Sequence, residues 1–416
     1  MTSPSSYPTI NGQRLWSNII ETAQYGATPK GGLTRLTLGA EDIQARNWFR
    51  ERCEALGCQV SVDQLGNMFA LKPGRNAALQ PIAIGSHLDT QPTGGRFDGI
   101  LGVLAGLEAL QTLQDQQIET TAPLLLINWT NEEGSRFAPA MLCSGVYAGV
   151  FDRDYAYSRT DRAGITFEQA LRDSGYMGSD PIGKQRFAAM FELHIEQGPI
   201  LEDRDIPIGV VQGAQAVRWY EVTLEGRRAH TGTTPMHLRK NALLGASRVV
   251  ELVNAIALDH GPLAVGTVGL MEVRPNSRNV IPGTVFFCVD LRHPEDAVLA
   301  QMEAAFTSRL HGICSDIGLT HDLQTVWDSP AVKFNPNCVA AVREGARAAG
   351  LETLDITSGA GHDAVYVARV APTTMIFVKS VDGLSHNEAE YTAPEDCIAG
   401  AQVLLNAVLA YDAAHH

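Results

Sequence analysis

The 416-residue sequence predicts an α/β protein: a mostly parallel sheet with helices on both faces, plus an inserted ferredoxin-like α+β domain. Three observations carry this. Short apolar runs alternate with helical patterns through about residue 213, the order changes to strand, helix, strand, strand, helix, strand over 214–329, and the alternation resumes over 330–416. The larger domain is therefore read as discontinuous, 1–213 with 330–416. The length agrees, since a single domain usually runs to about 100–200 residues.

In chain order, 41–56 has the helical spacing of Ile43, Trp48, Phe49, Cys53 and Leu56, and Gly57 supplies its stop. The runs 81–85, 124–128 and 188–192 are short and unbroken, as in strands buried on both faces, with 99–113 as a helix between the first two. In the insertion, strands at 217–224, 264–273, 284–291 and 321–326 are separated by helices near 239–257 and 294–317, which is the split βαβ order. Leu243, Leu244, Val250 and Val253 form one apolar stripe, and Leu299, Met302, Phe306 and Leu310 another; each is expected to face the small sheet. Beyond 330, 373–378 reads as a buried strand and Pro394 as the first turn of a final helix.

Composition narrows the function classes. A formal net charge of −14 argues against a nucleic-acid partner, which needs a surplus of Lys and Arg on one face. Seven cysteines without a CxxC pair suggest neither a disulfide framework nor a thiolate zinc site, and fit reduced thiols in the cytoplasm. The opening MTSPSSYPTINGQ has neither a basic start nor an apolar core, and no later run of about 18 apolar residues follows, so neither export nor a membrane is expected.

The chemistry gathers at strand ends. His87 follows strand 81–85, Glu132 and Glu133 follow 124–128, His194 follows 188–192, His386 lies beyond 373–378, and Asp98 stands in the loop before helix 99–113. In a parallel sheet the C-terminal strand ends open onto one crevice, where α/β proteins place their ligands. Imidazoles with carboxylates suit zinc, manganese, cobalt or nickel, whereas an all-oxygen set would suit magnesium. Five ligands exceed the three that one catalytic zinc commonly takes from protein, so two ions sharing Asp98 are expected. Such ions lower the pKa of a bound water until hydroxide is available near neutral pH. Of Glu132 and Glu133, one is expected to bind metal and the other to move the proton.

The segments Gly85-Ser-His87-Leu-Asp89-Thr, Gly94-Gly-Arg-Phe-Asp98-Gly, Asn131-Glu132-Glu133-Gly-Ser-Arg-Phe, Glu192-Leu-His194-Ile-Glu-Gln197-Gly, Ala229-His230-Thr-Gly, Pro275-Asn-Ser-Arg-Asn279, Ser358-Gly-Ala-Gly361-His362-Asp-Ala and Ser385-His386-Asn-Glu388 occur in this order. Together they resemble the M20-type metallopeptidase superfamily and, within it, the amidase, hydantoinase and carbamoylase family. The resemblance implies that His87 and His194 bind different ions, that Asp98 bridges, and that Glu133 and His386 complete the shells. It makes Glu132 the general base and later acid, with Asp89 orienting the His87 imidazole. It also implies that the inserted domain is a lid that makes a homodimer, with His230 reaching across the interface to a tetrahedral oxyanion. Arg292 and Asn279 would hold the carboxylate of a small substrate, with Gln197, Gly361 and His362 on the carbamoyl side. The implied reaction is cleavage of the carbamoyl C–N bond of an N-carbamoyl amino acid, giving amino acid, CO2 and ammonia. Allantoate is the alternative substrate, followed by the acylamino acids or dipeptides of other M20-type enzymes. The sequence departs from the pattern at Thr231, where Ala is commoner, and at Val378-Lys379-Ser380. A GxSxG nucleophile elbow is absent, and the GxGxxA-like stretch Gly359–Ala364 lies too near the chain end, before too short a helix, to favour a nucleotide site.

Overall fold

The computed structural model describes residues 7–416. The first six positions of the N-terminal stretch, on which the expectation of no export signal partly rests, lie outside the described residues. The chain forms two compact units, one running up to Gly213 and resuming at Lys333–His416, the other formed by Ala214–Val332.

The strands in chain order begin with β1 (Gln59–Val62), β2 (Met68–Lys72), β3 (Ile82–His87), β4 (Leu124–Trp129), β5 (Ala189–Ile195) and β6 (Ile208–Ala214). There follow β7 (Ala216–Glu225), β8 (Ala229–His230), β9 (Val265–Arg274), β10 (Val280–Ile281), β11 (Thr284–His293) and β12 (Thr320–Ser329). The last are β13 (Val332–Lys333), β14 (Thr353–Ser358) and β15 (Thr373–Val378).

The large sheet runs β1-β2-β4-β3-β5-β15-β6-β13, with β14 paired to β6. Its centre, β4-β3-β5-β15, is parallel, whereas β1 with β2, β2 with β4, and β6 with β15 pair antiparallel. Every residue of β3, β4, β5 and β15 is buried, which accounts for their unbroken apolar runs. Alternation along the strands sorts the two faces. On one face, helix Ile100–Asp115 presses so close that a Cβ at Gly106 would fall 2.4 Å from Leu126 and 2.8 Å from Ile84. On the other, Ala83, Leu125 and Ile127 cluster with Tyr147 and Val367 of helices Leu142–Tyr147 and Asp363–Val367.

Helix Pro394–His415 is the one described helix long and apolar enough to cross a membrane, and 61% of its apolar window is buried within the fold. Its buried Ala401, Val403, Leu404, Leu405, Ala407 and Val408 make it a core helix.

In the smaller unit the sheet order is β12-β7-β11-β9 with every neighbouring pair antiparallel, as the split βαβ connection requires. Helices Ala242–Asp259 and Asp296–Ile317 share one core with that sheet. Leu299, Met302, Phe306 and Leu310 are buried as expected. The stripe on the first helix is the expected one only at Val253. Leu243, Leu244 and Val250 are exposed, and the helix instead buries Ala242, Gly245, Ala246, Val249, Leu252, Val253 and Ile256. Close approach is the reason: a Cβ at Gly245 would lie 2.5 Å from Leu319 and 3.2 Å from Leu224, so the sheet-facing side has room only for small residues in its first turns.

Candidate metal centre and active site

The C-terminal ends of β3, β4 and β5 bring three ligands in from buried strands. His87 is the last residue of β3, His194 lies one residue before the end of β5, and the Glu132–Glu133 pair follows β4 after a sharp turn. That turn puts Asn131 at φ 60° and Gly134 at φ 63°, in the left-handed region. His386 itself has φ 55°, and Gln197 φ 59°. Non-glycine residues avoid this region unless their surroundings over-determine it, and such strain concentrates at functional sites. Asp98 sits just before the N-terminus of helix Ile100–Asp115, where the helix dipole favours a carboxylate. Gly99 is required there, because a Cβ would fall 2.2 Å from the His87 ring.

The two oxygens of Asp98 face different partners. Oδ1 lies 3.1 Å from His194 Nε2 and 3.6 Å from His87 Nε2, while Oδ2 lies 3.4 Å from His386 Nε2. His386 Nε2 is also 3.4 Å from Glu133 Oε2. Of three candidate ligand groups, each with ligand atoms within 4.8 Å of one another, two share Asp98, namely His87–Asp98–His194 and Asp98–Glu133–His386, and the third is Glu192–His194–His362. The expectation that His87 and His194 serve different ions is therefore corrected: neighbouring parallel strands aim both imidazoles at the same oxygen of Asp98, with ring centroids 5.9 Å apart. The donor set of imidazole nitrogen and carboxylate oxygen fits a borderline divalent cation.

Three of the candidate ligands, His87, His194 and Glu133, are held from behind. His194 Nδ1 meets Ile195 O at 2.9 Å, and His87 Nδ1 meets the backbone O of Asp89 at 2.9 Å. The Asp89 carboxylate stands 3.9 Å from that imidazole, so it does not orient the ring as expected. It accepts instead from the backbone N–H of Glu132 at 3.2 Å and of Glu133 at 3.3 Å, and thereby fixes the acidic pair. Glu133 also receives the Gln91 side-chain amide at 2.6 Å and its backbone N–H at 3.1 Å. Glu192 accepts from Ser86 Oγ at 2.7 Å and from the N–H of Ala364 at 3.0 Å, tying β5 to β3 and to the 361–364 turn.

The electrostatics follow from burial. Burial would raise the Asp98 carboxyl, but hydrogen bonds from His194, His386 and His87 hold it well below the usual carboxylate range. Glu132, 3.5 Å from His87 Nε2, goes the other way: burial pushes it well above its usual value, and the charges of Asp363, Glu133 and Asp98 add to this against the pull of His87. Burial likewise pushes Glu133 up to about 7. Burial opposes charge on His87, yet Glu132, Asp98 and Asp89 raise its pKa well above normal. His386 rises to about 9, first through its bond to Asp98.

Of the remaining predicted residues, Gln197 places Nε2 3.0 Å from both Asp98 Oδ2 and Ser385 Oγ, against the metal ligands, while its Oε1 is buried without a partner. His362 is buried, 4.5 Å ring to ring from His194, and meets Ser358 Oγ at 3.0 Å. Burial holds it well below the usual imidazole pKa, so it is neutral. Gly361 is exposed, and a Cβ there would lie 2.7 Å from Met141. The helix after this turn, Asp363–Val367, has five residues, too few for a dinucleotide-binding unit.

In the smaller unit, the short β8–β10 pairing sets His230 opposite Val280 and brings Asn279 Nδ2 to 3.0 Å from His230 Nε2. His230 Nδ1 accepts backbone N–H groups from Gly232 and Thr233. Arg292 is paired with Asp290 at 2.6 Å.

The sequence reading gave no role to Gln91, Glu192, Ser385 or Glu390. For Glu192 a signal existed: an acidic residue inside a run that reads as a fully buried strand must have partners.

Residues 83–410 match the model of peptidase family M20/M25/M40. The chain belongs to this family. As an M20 member it is a hydrolase. It is 48% identical to the N-carbamoyl-L-amino-acid amidohydrolase of Rhizobium meliloti, covering 98% of each chain. Against the allantoate amidohydrolase of Escherichia coli, identity is 34%, with 92% of this chain and 93% of that one covered. Among solved structures, the hydantoinase/carbamoylase family amidase from Burkholderia multivorans superposes with a TM-score of 0.95 at 55% identity, covering 98% of this chain and 99% of that one.

Proposed function

We propose that this M20 protein hydrolyses the carbamoyl C–N bond of N-carbamoyl-L-amino acids with two divalent cations, zinc, manganese, cobalt or nickel, held by His87, Asp98 and His194 and by Asp98, Glu133 and His386. The observation that carries the reading is Asp98, which presents one oxygen to each ligand group with Glu132 alongside. When bound, such cations supply an activated water and polarise the scissile carbonyl.

Glu132 is the proton carrier. Its buried carboxylate accepts the proton released as water adds to the carbamoyl carbon and later delivers it to the leaving nitrogen. One water is consumed, and the carbamate left after C–N cleavage breaks down to CO2 and ammonia. Asp89 keeps Glu132 and Glu133 in register through their backbone amides. Arg292 and Asn279 hold the substrate carboxylate, the guanidinium offering a planar fork to two oxygens. His230 donates to the developing oxyanion. Gln197, Gly361 and His362 line the carbamoyl side.

The smaller unit is read as a lid that also pairs two copies of the chain. Exposed Leu243, Leu244 and Val250 on helix Ala242–Asp259, and exposed Leu270 and Met271 on edge strand β9, support this.

Ammonia release tests the reading, with N-carbamoyl-L-amino acids, N-carbamoyl-β-alanine and allantoate compared on metal-loaded protein. Turnover of the first class is expected to exceed the others. Preference for allantoate, which the Escherichia coli relative's name makes the second reading, would overturn the substrate assignment while leaving the metal chemistry.

A further inference from the structure

The 385–390 segment ends on a carboxylate that the proposed reaction does not use. Glu390 is 4% exposed. Its Oε1 accepts the backbone N–H of both Phe97 and Asp98, at 3.1 Å each, and its Oε2 accepts the Ser385 hydroxyl at 3.1 Å. Ser385 Oγ also stands 3.0 Å from Asp98 Oδ2, receives Gln197 Nε2 at 3.0 Å, and belongs to the residue just before His386. One side chain thus grips two loops nearly 300 positions apart in the chain, at the residue shared by both ligand groups and beside a ligand of the second. The Asp98 loop is shaped around it: a Cβ at Gly95 would fall 2.0 Å from Glu390 Oε1.

We propose that Glu390 is a positioning residue of the metal centre, fixing the Asp98 backbone directly and His386 through Ser385, so that Asp98 turns one oxygen toward each ligand group. This rests on the two-cation reading above. Glu390 reaches neither substrate nor metal; its contribution is the orientation of groups that do, as outer partners of metal ligands commonly provide.

The test is a metal titration on protein stripped with a chelator, with Zn2+ delivered in competition with a chromogenic indicator, so that affinity and stoichiometry are read without turnover. Glu390→Ala is expected to weaken the second bound cation by about 10- to 100-fold. Glu390→Gln is expected to restore most of that loss, because its amide oxygen can accept from the same two N–H groups and its NH2 can donate to Ser385 Oγ. Wild-type binding by the Ala variant would overturn the proposal, and so would an equal loss in the Ala and Gln variants. Should Glu390→Ala fail to fold, Ser385→Ala serves: it removes the hydroxyl through which Glu390 reaches the His386 segment, along with that hydroxyl's contacts to Asp98 and Gln197, and unchanged affinity for the second cation there also overturns the proposal. A wild-type chain that binds no Zn2+ would instead sink the metal-centre reading itself, so the two failures are distinguishable.

Discussion

In the larger unit His87, Asp89, Asp98, Glu132, Glu133, Glu192 and His194 are buried and His386 is exposed, whereas in the smaller unit His230 and Asn279 are exposed and Arg292 is half-buried. The first set lies at the ends of strands buried on both faces, where a charged group persists only if neighbours compensate it. The carboxylates accordingly have compensating partners: Asp98 against three imidazoles, Asp89 against two backbone amides, Glu192 against Ser86 and Ala364. The second set lies on a sheet end and a short loop pairing, where His230 meets Asn279 and two backbone N–H groups and Arg292 meets Asp290. The contrast separates a buried, mutually compensated cluster from the more exposed groups proposed to meet substrate, and damage to the two should differ in kind.

The largest effect should come from removing the cations: chelation is expected to take ammonia release to background, with recovery on adding manganese, cobalt, nickel or zinc. Full activity in metal-free protein would erase the distinction between the units. Next, Glu132→Gln should lower kcat by at least about 100-fold with metal content unchanged, the scale of a lost general base. A variant with wild-type turnover would move the base elsewhere. Arg292→Ala should act on the other parameter, raising KM by about 10- to 100-fold, which corresponds to about 1.5–3 kcal/mol for a charge-assisted hydrogen bond, with kcat changed far less. Loss confined to kcat would place Arg292 with the reaction centre after all.

Acidity should sharpen the comparison further. In the metal-free chain His386 holds its proton up to about pH 9, so cation binding must displace it. Affinity should therefore rise as pH increases toward 9, by up to about tenfold per unit for each proton displaced, and calorimetry in buffers of different ionisation enthalpy should detect proton release at pH 7. The same raised pKa means that the His386 contribution to folding of the metal-free chain is complete below pH 6.5 and is lost as pH rises through about 9.

The smallest effects concern packing. Leu252→Ala, on the buried side of helix Ala242–Asp259, should cost about 2–5 kcal/mol in unfolding by denaturant, while Leu244→Ala on its exposed side should change stability by about 0.5 kcal/mol or less. Equal losses would restore the apolar stripe first read from the sequence.

Much of the larger unit was legible because its strands are buried on both faces and so appear as unbroken apolar runs; β3, β4, β5 and β15 lie close to where those runs fall. The antiparallel margins β1, β2 and β6 were not read: β1 is a half-covered edge strand that lacks that signature, whereas β2 and β6 are largely buried and their short apolar runs went unassigned. The stripe on helix Ala242–Asp259 was misread in its first turns for a related reason: apolar spacing ranks large residues first, whereas the contact there is made through Gly245 and Ala246, which carry little hydrophobic signal. All five candidate ligands were legible as residue types, His87, Glu133 and His194 at strand ends and Asp98 and His386 in loops, but their grouping was not.

What the sequence determined by itself was therefore local: periodicity, the order of elements, and the chemistry each strand end carries. Only the tertiary structure decided that His87 and His194 share one oxygen of Asp98, that the Asp89 carboxylate serves two backbone amides, and that Glu390 joins loops from opposite ends of the chain. Hydrogen bonds of this kind depend on distances of a few tenths of an ångström between segments far apart in sequence, and such distances exist only once the sheet has assembled.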